Sequence, residues 1–191
     1  MVLKKSYLLL LSSLLSTGVF AQTAEVHAVN AGRQGTTVSD HHQQPPVYFS
    51  TILADSTGAT HIGKCKFEGL SFKSYAPPAA PQWIGISPDQ IQSIAYAILP
   101  PGYTGTWHHA PGPQWVITLS GKWSVESTDG TVLTQGPGGI QFNGDSSSKP
   151  RADDKRVGHL SRTVGDQPNV QLIIKLKPGV KTNAMYSSCA G

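Results

Sequence analysis

Between residues 92 and 176 one pattern recurs and limits the fold. Runs of four to seven residues rich in Val, Ile, Leu, Thr and Trp alternate with turns built from Gly, Pro and Asp. Runs this short are poor helices, and their alternation of apolar and polar residues fits strands. Strands are expected over 93–99, 114–119, 122–127, 131–135, 140–143, 159–164 and 170–176. Asp129-Gly130 is a strong hairpin signal, and Gly136-Pro137-Gly138-Gly139 makes a tight turn. Upstream, 47–53 and 60–67 flank Ser56-Thr57-Gly58 and read as another hairpin. The one helical signal is Ser87-Pro88-Asp89, enough for a single turn with Ser87 as cap and Pro88 in first position. Many short strands with little helix imply a sandwich or barrel. No repeat and no second domain is visible.

The ends of the chain follow other rules. Residues 1–21 carry Lys4-Lys5, an apolar run over 7–20, and small residues (Val19, Ala21) before Gln22. This is the pattern of a secretory signal peptide, too short to span a membrane. The expectation is export, to a periplasm or out of the cell. Residues 22–46 are polar, hold His41 and His42 as solvated loop histidines, and read as a flexible N-terminal arm. The domain is expected over 47–178 and a polar tail over 179–191. Removing Lys4 and Lys5 lowers the 15 basic side chains to 13, against 11 acidic ones, a net charge of about +2. That is too little for a nucleic-acid footprint. Cys65 and Cys189 would meet oxidising conditions after export. The sequence leaves their pairing open, because Cys189 lies in the tail.

Residues 75–82 form a Pro- and Ala-rich surface loop. Residues 144–157 form a long polar loop, either a lid over a barrel mouth or surface decoration. No Gly-rich strand–turn–helix unit for a nucleotide cofactor is present, and no Gly-x-Ser-x-Gly elbow.

The chemistry centres on His108-His109, just before the strand at 114–119. Neighbours on a strand point to opposite faces, so only one of the two should look inward. A bulge at Ala110-Pro111 would turn His109 in as well. Gly102, five residues, His108, one residue, Ala110, three residues, Gln114, six residues and Gly121 reproduce a spaced motif. In its intervals the chain resembles a single-domain cupin, a small jelly-roll β-barrel. Two ligand positions differ: Ala110 stands where the family has its second His, and Gln114 where it has Glu. Gly138-Gly139 resembles the start of the second motif. His159 falls where the last His is expected, and Thr163 where Asn is usual.

The resemblance implies an all-β cupin-type jelly-roll barrel whose interior holds His108, Gln114 and His159. Three functional readings stay open. The two imidazoles and the amide oxygen could hold a divalent ion (Fe, Mn, Ni, Cu or Zn), more weakly than a set containing a carboxylate. Without metal, His108 and His159 could act as acid and base while Gln114 orients a substrate. They could also be hydrogen-bonded barrel histidines only. Trp107 and His109 are candidate substrate contacts at the rim, although packing is the commoner use of such a Trp, as it is for Trp115 and Trp123. The function expected is an exported cupin acting on a small organic molecule, phenolic or polyketide-like. Its chemistry would be oxidation (an oxidoreductase) or proton transfer (an isomerase or lyase). The alternative is a non-catalytic small-molecule carrier. A homodimer would follow the family's habit of pairing barrels.

Overall fold

A computed structural model describes residues 46–181 and Cys189. The expectations for the signal peptide, for His41 and His42, and for nearly all of the arm lie outside the described residues. Among the described residues no helix is long and apolar enough to cross a membrane.

Eleven strands form in chain order: β1 (Tyr48–Ala54), β2 (Thr60–Lys66), β3 (Ser71–Lys73), β4 (Gln82–Ile84), β5 (Ile91–Leu99), β6 (Gln114–Ser120), β7 (Lys122–Ser127), β8 (Val132–Gln135), β9 (Ile140–Gly144), β10 (His159–Val164) and β11 (Asn169–Leu176). A single 3-10 turn, Pro88–Gln90, precedes β5. The expected strands therefore form within a residue or two of their predicted ends. The short β3–β4 ribbon beside the Pro-rich loop was not foreseen. Its strands have only three residues each, too few to show a period.

One sheet has six strands in the order β2-β1-β9-β6-β11-β5, and a second has three in the order β10-β7-β8. All pairings are antiparallel except β1 with β9. Alternation splits the large sheet into two dissimilar faces. Its inner face sends Ile52 and Val116 onto Trp123 and Val125 of the small sheet. Its outer face gathers Phe49, Cys65, Trp115, Phe142 and Leu176 into a second core. There the Trp115 and Phe142 rings meet edge-on with centroids 4.8 Å apart. Burying each such side chain stabilises the fold by roughly 1.5–3 kcal/mol. A strand with both faces covered has no polar side to mark, so the sequence alone does not separate the two cores.

Cys65 and Cys189 form a disulfide that closes 124 residues of chain. Cys189 therefore anchors on the outer core, against which Val180 also packs. The β6–β7 turn is made by Gly121, whose φ of +68° and close approach to Pro168 leave no room for a Cβ. Gly102, the other motif glycine, also has positive φ.

Candidate functional site

The inner face is polar where the barrel should be greasiest. Along β6, β9 and β11 the inward residues are Gln114, Gln141, Asn143, Asn169 and Gln171, all buried. Buried amides must be satisfied, and all of these but Gln114 are strung together. Ser50 Oγ donates to Gln135 Oε1 at 3.3 Å, Gln135 Nε2 to Gln141 Oε1 at 2.7 Å, and Gln141 Nε2 to Asn143 Oδ1 at 2.7 Å. A shorter chain runs from Gln171 Nε2 to Asn169 Oδ1 (2.7 Å) and from Asn169 Nδ2 to the Ser120 carbonyl (2.9 Å).

Beside these chains lies a cavity of about 150 Å³. Its polar wall carries His108, Gln114, Asn143, His159, Tyr103 and Ser161, and its apolar wall Ala97, Leu99, Val116, Trp123 and Ile173. His108, Gln114 and His159, separated by up to 51 positions in sequence, share this one space. His108 and His159 pair through reciprocal backbone hydrogen bonds of 3.0 and 2.8 Å. Their rings lie with centroids 4.6 Å apart. The close approach depends on Gly158, whose φ is +64° and where any Cβ would collide with the His108 carbonyl. His159 is buried, whereas His108 is exposed and marks the mouth.

The partners of each ring fix its tautomer. His108 Nδ1 lies 2.7 Å from the Thr106 carbonyl, and a carbonyl only accepts, so Nδ1 carries the proton. His159 Nδ1 lies 2.7 Å from Asp145 Oδ2. Asp145 is fully buried, and its Oδ1 accepts the Ala110 amide at 3.1 Å. In the neutral imidazoles both Nε2 atoms are therefore bare. Gln114 Oε1 is buried with no hydrogen-bond partner, an omission that costs about 1–3 kcal/mol.

The remaining candidates lie elsewhere. Ala110 is buried and its backbone amide serves Asp145. Ala110-Pro111 does not turn His109 inward: its Nδ1 lies 3.0 Å from the neighbouring Ala110 carbonyl, and it does not line the cavity. Trp107 is outside the cavity as well, with the Arg156 guanidinium 4.9 Å over its ring. Thr163 donates to the Pro100 carbonyl. The loop after β9 is no lid. Ser148 and Lys149 bond to the Gly58 carbonyl and Arg156 to the Thr128 carbonyl, which pins it along the β1–β2 and β7–β8 turns. Arg156 also holds Asp154 down to about 2 through side-chain hydrogen bonds.

Asp145 went unnoticed because it follows Gly144 in a polar stretch. Its signal was the continuation of the inward series Gln141, Asn143, Asp145. Among the described residues no three His, Cys, Asp or Glu side chains are grouped to hold a metal ion. The donor set for an ion would be His108 Nε2, His159 Nε2 and Gln114 Oε1, with Asp145 behind His159, a support that ligating histidines commonly have. By chemical type, two imidazoles and a neutral amide with no carboxylate make a weaker set for a divalent ion than one that offsets its charge.

Two largely antiparallel sheets thus border a cavity in which the spaced motif and the β10 histidine meet. The fold is cupin-like. No family model matches the chain, and no curated protein matches it. Solved structures similar to it include a cupin domain from Bordetella pertussis (18% identity, 48% of this chain and 86% of that one, TM-score 0.34). A Neisseria meningitidis protein gives 16% identity over 48% of this chain and 79% of that one, TM-score 0.33. The Schizosaccharomyces pombe Cnp3 cupin domain gives 9% over 74% and 90%, TM-score 0.34. At such values the likeness adds nothing to what the strands of this cupin-like barrel show.

A second histidine–carboxylate cluster lies at the surface. His61 of β2 has Nδ1 2.9 Å from Asp129 Oδ2 and Nε2 2.9 Å from Asp55 Oδ2. Asp55 belongs to the β1–β2 turn and Asp129 to the β7–β8 turn. With both ring nitrogens on carboxylates, the geometry calls for imidazolium. The Asp55 hydrogen bond raises the pKa of His61 against a smaller opposing effect of burial. Asp55 is held well below the carboxylate range by Thr57 and His61. For Asp129 burial pushes upward, but hydrogen bonds from Ser127, Thr131 and His61 outweigh it and bring it to about 2.

Proposed function

We propose that the barrel cavity binds a small organic molecule and that His159 moves a proton on it. The observation that carries this reading is the Asp145–His159 pair. A buried carboxylate holds Nδ1–H, so Nε2 stands bare in the cavity as a general base. A base there takes a proton from a C–H or O–H of the ligand and returns it to another atom of the same ligand. That is isomerase chemistry; in a lyase reaction the same proton goes instead to the group that leaves, and neither needs an outside oxidant. His108 Nε2 at the mouth is the second proton acceptor, and Gln114, on the cavity wall, hydrogen-bonds the substrate through its amide. The apolar wall suits a ring or a short carbon chain, in keeping with a phenolic ligand.

The reading is tested by incubating the protein in D2O with dihydroxyacetone, catechol and phenylpyruvate and following deuterium incorporation by NMR. Wild type should label at least one probe, and His159→Ala should lose the labelling while still shifting its resonances. If no probe is labelled above the His159→Ala background, the proton-transfer claim is wrong. Binding without labelling would favour the carrier reading.

A second reading rests on the same three bare donors. His108, His159 and Gln114 would hold a divalent ion. Such an ion would polarise a bound oxygen and open oxidation chemistry to the site. Elemental analysis at one ion per chain, with a lower melting temperature after chelation, would support it. Metal-free protein unaffected by chelator and by added Fe(II), Mn(II) or Zn(II) would refute it.

Export belongs to the same proposal. It is supported by the residue 1–21 pattern and by a disulfide of the kind that persists in oxidising compartments. A homodimer is supported by Ile94, Tyr96 and Ile98, which are 59–70% exposed on the edge strand β5. Light scattering should give twice the chain mass, and a monomer at working concentration would remove it.

A further inference from the structure

The polar groups of the cavity come from two different sheets and differ in kind. His159 begins β10 of the three-stranded sheet, His108 is bridged to it, and each offers a bare Nε2. Gln114 of β6 and Asn143 of β9 stand directly opposite each other in the six-stranded sheet. They are 8% and 2% exposed, and both border the cavity. Gln141 occupies Asn143 Oδ1, which leaves the Asn143 NH2 for the cavity. Gln114 Oε1 is shut away, and the Gln114 NH2 also has no partner in the protein. Two neighbouring amide donors therefore share one space with two bare bases.

Charge is sorted in the same way. Asp145 lies behind His159. On the other side, the cross-strand row Asn143–Gln114 continues to Lys175 of β11, in register with Gln114. Alternation puts Lys175 on the inner face with Gln171 and Ile173. There it lines an adjoining cavity of about 370 Å³ and pairs with no carboxylate among the described residues. A base backed by a carboxylate is favoured in its positive form, and an oxygen beside N–H donors and an ammonium is favoured in its negative form. That distribution arises when a proton leaves a carbon next to a carbonyl. The C–H electron pair moves into a carbon–carbon double bond, the carbonyl oxygen takes the negative charge, and the proton rests on His159 Nε2.

We propose that the ligand is a small aldehyde or ketone with a hydrogen on the adjoining carbon, that Gln114 Nε2 and Asn143 Nδ2 hold its oxygen as the oxyanion forms, and that Lys175 favours that charge from beyond Gln114. This rests on the reading of His159 as the base, and adds the substrate class and the groups that receive the charge. The proton returns to carbon or oxygen of the same molecule, so no outside oxidant or reductant takes part.

The test follows deuterium incorporation from D2O by NMR with the full chain. Dihydroxyacetone should be labelled at its CH2 groups. Catechol, which has no carbonyl, should stay unlabelled. Gln114→Met removes an amide that bonds to nothing in the protein and should not lower the melting temperature. Its kcat for dihydroxyacetone labelling should fall about 10²-fold, the usual cost of one oxyanion donor, with KM changed far less. Asn143→Leu should do the same in the fraction that folds, and Lys175→Met should slow labelling several-fold. Wild-type rates in Gln114→Met would overturn the donor wall while leaving His159 as the base. Labelling of catechol as fast as that of dihydroxyacetone would overturn the carbonyl class whatever the variants do. If wild type labels no probe above the His159→Ala background, the proposal falls together with the base on which it rests.

Discussion

Two histidines of this barrel, His61 and His159, both pair with aspartates, and they are put to opposite uses. His61 lies half exposed with both nitrogens on carboxylates. Nothing on its ring is left to offer, so it ties one hairpin turn to another. His159 is 4% exposed and its partner Asp145 is wholly buried. One nitrogen is tied and the other is open to a cavity. A histidine's potential for chemistry is set by the nitrogen its neighbours leave alone. Burial then makes the remaining interaction stronger and the pair costlier to break.

The sharpest way to break this contrast is at the carboxylates. Asp145→Ala leaves His159 and the Ala110 amide without their buried partner and should destabilise the fold by about 3–5 kcal/mol in chemical denaturation. Asp145→Asn tests its positioning role separately. It keeps the volume but can turn an NH2 toward Nδ1, which moves the ring proton to Nε2. Labelling in D2O should then fall about 10–100-fold with catechol affinity retained. A purely structural Asp145 would leave labelling per folded molecule unchanged.

A change that touches neither histidine sets the scale. Cys189→Ser opens the 124-residue loop and should cost about 2–4 kcal/mol, read from urea midpoints. Catechol affinity of the folded protein should not move. If it does, the outer core and the cavity are coupled across the large sheet.

The smallest effect belongs to His61→Ala, at about 2 °C or less in melting temperature, because exposed pairs are screened. Its pH dependence is the informative part. A raised His61 pKa means the contribution is complete below the unfolded value of 6.5 and fades as pH rises through the folded one. Lowered Asp55 and Asp129 mean it is complete above 3.8 and fades as pH falls further. The wild-type advantage over His61→Ala should therefore be greatest between about pH 4 and 6.5 and vanish above the raised pKa. A difference that grows toward pH 9 would contradict the imidazolium assignment.

Much of this was legible in the sequence. Alternation and turn chemistry marked the long strands, since each has one polar and one apolar side and a Gly, Pro or Asp at its end. The interval from Gly102 to Gly121 placed His108 and Gln114 on one inward face, and the strand start placed His159 opposite. Asp145 stayed hidden because Gly144 ends the strand and the loop beyond it has no period. The outer core stayed hidden because Trp115 and Phe142 look like residues of any buried strand. The Cys65–Cys189 bond depends on where the tail lies, which no local pattern encodes.

The row of amides behind the cavity has a consequence of its own. Gln135 and Gln141 point the same way, each giving its NH2 to the next oxygen, and Asn143 ends the row as an acceptor. Turning Gln141 alone would set oxygen against oxygen on one side and hydrogen against hydrogen on the other, so it cannot reverse without its neighbours. Ser50, at the far end, has its hydroxyl oxygen 3.3 Å from both the first amide oxygen and the Ile140 carbonyl, so it can give to the row or accept from it. The barrel thus stores a single bit in its wall. It is read at Asn143, whose N–H a ligand encounters.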